Sequence, residues 1–233
     1  MGVLWGFIQP IITVLVYWFV FENGLKAGKT PDNIPFFIWM ITGMVPWFYF
    51  SEAISSGTSS LLEYGYLIKK IVFKVKLLPV VKLLSAIYVQ LVFVAIYIII
   101  LLIYGYTPSL YWLQIFLYFS IMWFFILGIV LITSSLTPFF RDLPQIITIM
   151  LQVAFWITPI IWNKDILSNE YRWIVEYNPL FYIVEGYRDS FLYNTWIWER
   201  GYEIWVLIAI TFFLNIIGIK LFSKSEVHFS DVL

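Results

Sequence analysis

The chain of 233 residues carries 14 lysines and arginines against 14 aspartates and glutamates, with 62% hydrophobic and only 12% charged side chains and a mean hydropathy of +0.89. That apolar excess is too large for the core of a water-soluble domain, which runs about half apolar and a quarter charged, and the balanced charge offers no electrostatic case for nucleic acid. With no cysteine and His228 as the single histidine, disulfides, thiolate catalysis and cysteine- or histidine-built metal sites are excluded.

Charge-free stretches mark the elements in chain order. The first, residues 3–21, has no basic residue ahead of it, contains Pro10 and lacks a small-residue cleavage site after it, so it reads as a retained helix rather than a signal peptide. The second, residues 33–51, holds Pro46, where a bend is expected. Glu52 is the one carboxylate set in an otherwise apolar span. A charge at mid-bilayer costs roughly 3 kcal/mol, so Glu52 is expected to face the bundle or water. The run Ser55-Ser56-Gly57-Thr58-Ser59-Ser60 lacks the lysine of a phosphate-binding loop and reads as close helix packing or as a ligand contact. No nucleotide-binding loop occurs elsewhere, so any use of ATP belongs to another chain.

Residues 63–74 mix Tyr64, Leu67, Ile68 and Ile71 at helical spacing with Lys69, Lys70 and Lys74. Such an element presses an apolar ridge into a partner's groove or lies on anionic headgroups. Residues 83–137 are too long for one span, and Tyr104-Gly105-Tyr106-Thr107-Pro108 supplies a turn between helices near 79–104 and 111–137. Phe140-Arg141-Asp142-Leu143-Pro144 forms a tight cytoplasmic loop, with Asp142 placed to cap the fifth helix and Pro144 in its first turn. Thr158-Pro159 interrupts that helix, over residues 143–163, and frees backbone groups that need local partners. Asn178-Pro179 starts another helix, with Glu185, Arg188 and Asp189 at helical spacing. Short helices here either dip into the outer leaflet or lie on its surface. A last span, residues 204–219, has Trp205 and Lys220 to anchor its ends.

The expected fold is therefore all-α, a polytopic membrane protein of six transmembrane helices with short re-entrant helices between the fifth and sixth. Residues 1–233 read as one domain without internal repeats. Lys69, Lys70, Lys74, Lys76, Lys82, Arg141, Lys220 and Lys224 fall on one side, which puts both termini in the cytoplasm. Aromatic residues are 21% of the chain, and most suit interfacial belts. Trp47, Tyr49, Phe50, Phe155 and Trp156 fall inside the bundle and, with Glu52, are candidates to line a channel, their rings offering flat faces to sugar or polyol units. No cluster of acids is placed for catalysis, which disfavours a membrane transferase, and Glu52 has no ionisable partner at its depth for a proton-coupled transporter.

The order of Gly2-Val3-Leu4-Trp5, Gln9-Pro10, Tyr17-Trp18-Phe19-Val20-Phe21, Pro46-Trp47-Phe48, Phe140-Arg141-Asp142, Thr158-Pro159-Ile160 and Asn178-Pro179-Leu180-Phe181-Tyr182 resembles the permease subunits of ABC-2 type polysaccharide and polyol-phosphate exporters, over almost the whole chain. Within that family, Val3-Leu4-Trp5, Tyr17-Trp18-Phe19-Val20-Phe21 and the stretch from Pro179 to Arg188 are most similar to permeases of wall teichoic acid export. Phe-Arg-Asp and Thr-Pro-Ile are shared with O-antigen exporters. The resemblance implies a homodimer in the bacterial cytoplasmic membrane, joined by two ATP-binding subunits that hold ATP and magnesium, moving an undecaprenyl-pyrophosphate-linked polymer outward. It implies that Glu63, Tyr64, Leu67, Ile68, Lys69 and Lys70 form a helix that couples to the ATPase. It also implies an outer gate, here Pro179, Phe181, Tyr182, Glu185 and Arg188. Family members carry an amphipathic helix before the first span, and this sequence is expected to lack it, the chain being shortened or its start placed late.

Overall fold

A computed structural model of the chain describes residues 2–24, 28–30, 32–66 and 74–229. The described residues are helical apart from connections, and the one β contact among them is an isolated antiparallel bridge between Lys29 and Pro35. Helix α1 is Gly2–Trp18, continued by a wider π turn over Phe19–Gly24. Then follow α2 (Phe36–Glu63), α3 (Leu77–Ile103), a 3-10 turn (Leu110–Gln114) leading into α4 (Ile115–Leu136), and α5 (Leu143–Ile157). Two short helices, α6 (Arg172–Glu176) and α7 (Pro179–Arg188), precede α8 (Glu203–Ser225).

Among the described residues, four helical stretches are long and apolar enough to cross a bilayer: Phe36–Glu63, Leu77–Ile103, Leu110–Leu136 and Glu203–His228. Two shorter apolar helices, Ile11–Gly24 and Leu143–Ile157, accompany them. Such a chain is a multi-pass membrane protein, because only structures whose backbone groups are satisfied internally tolerate the hydrocarbon core.

Three boundaries carry physical lessons. The turn between α3 and α4 falls where expected. Gly105 adopts φ +86° with nothing within 4 Å of a Cβ position, and Tyr106 N–H and Gly105 N–H donate to the Leu101 and Leu102 carbonyls at 3.0 and 3.1 Å. This is the left-handed stop that satisfies the last carbonyls of a helix and that glycine adopts without strain. Helix α2 runs past the charge-free stretch that ends at Ser51 and through the Ser/Gly run, as the close-packing reading of that run requires, to Glu63. It also stays helical across Pro46, although proline removes one backbone donor. Helix α5 ends at Ile157, short of Asn163, because Pro159 has no N–H to extend the ladder and its ring crowds the preceding turn.

The helices cluster into two compact units. The first comprises Met1–Phe48, Tyr88–Tyr118 and Ile157–Glu199. Its core holds Ile38, Met44, Ile160, Ile183 and Val184, Tyr97 in hydrogen-bond contact with Thr42, and Phe191 packed edge-on against Tyr97 and Trp112 at 5.1 Å each. Gly186 presses against the ring of Tyr118, where a Cβ would lie 2.1 Å from a ring carbon.

The second unit comprises Tyr49–Ile87, Phe119–Trp156 and Arg200–Leu233. The small-residue run of α2 does here what close packing requires: a Cβ on Gly57 would sit 2.6 Å from Val130, and Thr58 meets Thr133 at 2.8 Å. Helices α4 and α8 approach through Gly128 and Gly218, where an added Cβ would fall 2.8 Å from Leu214 Cβ and 2.9 Å from the Gly128 carbonyl oxygen respectively. Small residues let helix backbones approach where no water drives association.

Candidate functional site

In the first unit the polar chemistry gathers around α7. Asn178 caps the helix, its Oδ1 accepting from Leu180 N–H at 3.0 Å with Pro179 at the first position, and its amide donates to Thr158 Oγ1 at 2.8 Å. The cap thereby ties α7 to the break that follows α5. One helical face then carries Phe181, Glu185 and Arg188.

Arg188 is fully buried, at 0% exposure. Its Nη1 donates to the Pro159 carbonyl at 2.9 Å and to Glu185 at 2.7 Å, Nη2 donates to the Ile160 carbonyl at 2.8 Å, and Nε reaches the Trp39 carbonyl at 3.4 Å. The guanidinium lies 3.4 Å from the centre of the Trp39 ring. A buried charge is tolerable only when paired and fully hydrogen-bonded, and this one has a carboxylate, three carbonyls and an aromatic face. Burial pulls its pKa down and the Glu185 carboxylate pushes it back up. The freed carbonyls after Thr158 thus have their partner: the arginine three turns into the polar segment substitutes for the donors that the broken helix cannot supply.

Around this arginine lies a cavity of about 200 Å³. Besides Arg188, Glu185 and Phe181, its wall includes Asp32, Asn163, Lys164, Asp165 and Tyr193. Asp32 is presented by a tight loop in which Thr30 N–H donates to the Ile34 carbonyl at 2.8 Å and Asn33 takes φ 63°. Tyr193 accepts from Trp39 Nε1–H at 3.1 Å, and burial, with the Glu185 charge adding to it, pushes its hydroxyl pKa up to about 12.

Of the five residues expected to form an outer gate, Phe181, Glu185 and Arg188 share this cavity wall. Pro179 serves the helix start, and Tyr182 donates its hydroxyl proton to the Glu176 carbonyl. Of the six expected to line a channel, Trp47, Tyr49 and Phe50 are buried in internal packing. Tyr49 donates to the Leu83 carbonyl at 3.2 Å and packs on Phe119, and Phe50 stacks on Phe125 at 6.2 Å. Glu52 and Trp156 are exposed and Phe155 is half-buried.

In the second unit, the root of the expected coupling segment is held from two sides. Glu63 pairs with Lys82 at 2.5 Å, and the Lys82 ammonium lies 5.0 Å from the centre of the Tyr64 ring. Both residues expected to begin a coupling helix are therefore spent on α3, with Glu63 the last residue of α2. Leu67, Ile68, Lys69 and Lys70 lie outside the described residues. Phe140, Arg141 and Asp142 are exposed in the turn before α5, where the Asp142 carbonyl accepts from Gln145 and Ile146 N–H at 3.1 and 3.2 Å.

Asp32, Asn163, Lys164, Asp165 and Tyr193 of the cavity wall escaped the sequence reading, as did two buried aromatic residues. Phe229, in the polar tail, is fully buried against Phe222 and packs with Leu61, Val75, Leu78 and Leu131. Lys76 bonds Ser223 at 3.0 Å and pairs with Glu226 at 3.5 Å. Trp39 was the other, and its only signal is an indole inside an apolar span, which the sequence cannot distinguish from a belt residue.

The family profile of the ABC-2 type transporters, which describes a membrane domain, matches residues 1–192. The chain belongs to the ABC-2 type transporter family. Relatives of this ABC-2 chain include the O-antigen export system permease protein RfbA of Klebsiella pneumoniae, 28% identical over 100% of this chain and 88% of the relative. A protein of that name in Myxococcus xanthus is 24% identical over 82% of this chain and 73% of its own length. The polysialic acid transport protein KpsM of Escherichia coli is 24% identical over 97% of this chain and 86% of its own. One polar cluster of this ABC-2 chain lies around the break that follows α5, the other at the root of the loop between α2 and α3.

Proposed function

We propose that this chain is the membrane permease of an ATP-driven exporter of lipid-linked polysaccharide, with an O-antigen-type or capsular glycan as cargo. The carrying observation is likeness along the full chain to O-antigen permeases, joined by a polysialic acid transport protein. A wall teichoic acid cargo is the second reading, resting on the likeness of the stretch from Pro179 to Arg188 to permeases of that pathway. In either case two copies of the chain act with two ATP-binding subunits, which hold ATP and magnesium, in the bacterial cytoplasmic membrane, and the undecaprenyl-pyrophosphate-linked polymer leaves between the copies.

Both termini and the loop between α2 and α3 face the cytoplasm in this reading. Closure of the ATPase pair pushes on residues 63–70. Glu63–Lys82 and the Phe229 cluster turn that push into movement of α2, α3 and α8 rather than local bending of a loop. Exposed Glu52 and Trp156 are the channel-lining candidates that remain, a carboxylate in an apolar span being tolerable against water or a partner copy. The deciding experiment is co-purification in mild detergent of a soluble ATPase with the wild-type chain and with a Leu67→Asp/Ile68→Asp variant. Equimolar capture by the wild type and loss in the variant are expected; failure of the wild type to hold any ATPase sinks the reading.

A further inference from the structure

We infer that the cavity beside α7 is a binding subsite for one uncharged, hydroxyl-rich sugar unit. The inference rests on the polysaccharide-exporter reading and names the chemistry recognised at this place.

Size and shape come first. A cavity of about 200 Å³ is smaller than drug-sized pockets of roughly 300–1,000 Å³ and suits a single sugar ring, not a lipid tail or a long polymer segment. Its lining is mainly polar, with Trp39, Pro159 and Phe181 as its apolar part.

Charge decides against an anion. Three carboxylates, Asp32, Asp165 and Glu185, share the wall with two cations, Lys164 and Arg188. Arg188 is already committed to Glu185, three carbonyls and the Trp39 ring. It cannot offer the two-pronged fork that phosphate and carboxylate ligands select. Lys164 lies over the Phe181 ring, 5.4 Å from its centre, in a wall that also holds Asp32 and Asp165. A phosphodiester or a sialic carboxylate would meet net repulsion.

Hydrogen-bonding capacity then fits hydroxyls. Asp32 and Asp165 are acceptors able to take paired hydroxyl protons, and Asn163 adds an amide whose Oδ1 already accepts from Asp165 N–H at 3.1 Å. Tyr193 Oη accepts a hydrogen bond from Trp39 Nε1–H at 3.1 Å, which leaves its own hydroxyl proton to donate. Acceptors, an amide, one phenolic donor and an aromatic ring around a small cavity match a neutral sugar on every side. The scaffold beneath them is rigid because Arg188 bolts α7 to residues 159 and 160, a condition for binding without reorganisation.

The test uses the full-length chain in lipid nanodiscs free of glycoside detergent, with saturation-transfer NMR to N-acetylglucosamine and to glycerol 3-phosphate. Transfer to the sugar and little to the phosphate is expected. An Asp32→Ala/Asn163→Ala variant, altered at two loop positions that make none of the hydrogen bonds of Arg188, should bind the sugar roughly tenfold more weakly through the loss of two hydrogen bonds. No transfer to the sugar, equal transfer in the variant, or stronger transfer to glycerol 3-phosphate overturns the subsite. ATPase co-purification on the same preparation separates the two ideas: an ATPase-bound chain that ignores the sugar loses the subsite alone, whereas sugar binding lost in the variant, by a chain that captures no ATPase, upholds the subsite and removes the exporter reading.

Discussion

At the scale of single residues, Arg188 carries the largest stake. Its removal takes from Glu185 its ion-pair partner in a part-buried site and strips the Pro159 and Ile160 carbonyls of their donor. Breaking a buried pair from one side costs about 3–5 kcal/mol. Arg188→Ala should therefore lower the melting temperature in detergent sharply, and Arg188→Lys should recover only part, since an ammonium cannot span several carbonyls and a carboxylate in one plane. Glu185→Gln should cost less than either, because three carbonyls still hold the guanidinium. Thermal unfolding followed by size-exclusion profile reads the order, and Glu185→Gln proving worse than Arg188→Ala would contradict it. The helical spacing of Glu185 and Arg188 was legible in the sequence, as was the need for partners after Thr158-Pro159. That the one satisfies the other was not, because the contact joins positions 28 and 29 residues apart and no local pattern encodes it.

Elements obey the same division. The left-handed stop at Gly105 and the Asn178-Pro179 helix start were readable because their physics is local. The end of α2 at Glu63 was readable only in part: the Ser/Gly run was read as close helix packing, which the approach of Val130 to Gly57 bears out, but no local stop signal marks Glu63. The anchor of the tail was not legible for a related reason. Residues 226–229 look polar, yet Phe229 is buried and Val227 beside it is 74% exposed. Phe229→Ala should cost about 3–5 kcal/mol, as for other buried phenylalanines, while Val227→Ala should stay within about 0.5 kcal/mol. The Lys76–Glu226 pair is half-exposed and contributes about 0–1 kcal/mol, so the aromatic, not the ion pair, anchors the tail. If Phe229→Ala also leaves the ATPase bound but export slowed, the cluster transmits motion as well as stability. Equal melting of the Phe229→Ala and Val227→Ala variants would show that the tail is not anchored at all.

For the whole molecule, composition alone was decisive about the class, since no soluble fold disposes of 62% hydrophobic residues, and less so about the spans: among the described residues four are long, while α5 is cut short by Thr158-Pro159. Orientation rests on a different kind of evidence, the placement of lysines and arginines, and the chain offers an unusually clean way to test it. It contains no cysteine, so any introduced thiol is the only one in the protein. Asp165 and Lys224 are both exposed, and the positive-inside argument puts them on opposite faces: Asp165 in the long acidic connection before α8, Lys224 in the basic tail. Asp165→Cys should react with a membrane-impermeant maleimide from outside intact cells or spheroplasts, and Lys224→Cys only after the membrane is opened. Reaction of both from one side would mean that α8 does not cross the bilayer, and the reverse pattern would invert the chain. An inverted chain would carry the loop between α2 and α3 away from the cytoplasm, where the proposed ATPase partner would dock, so labelling at these two positions tests the geometry that the proposed coupling needs before transport is measured.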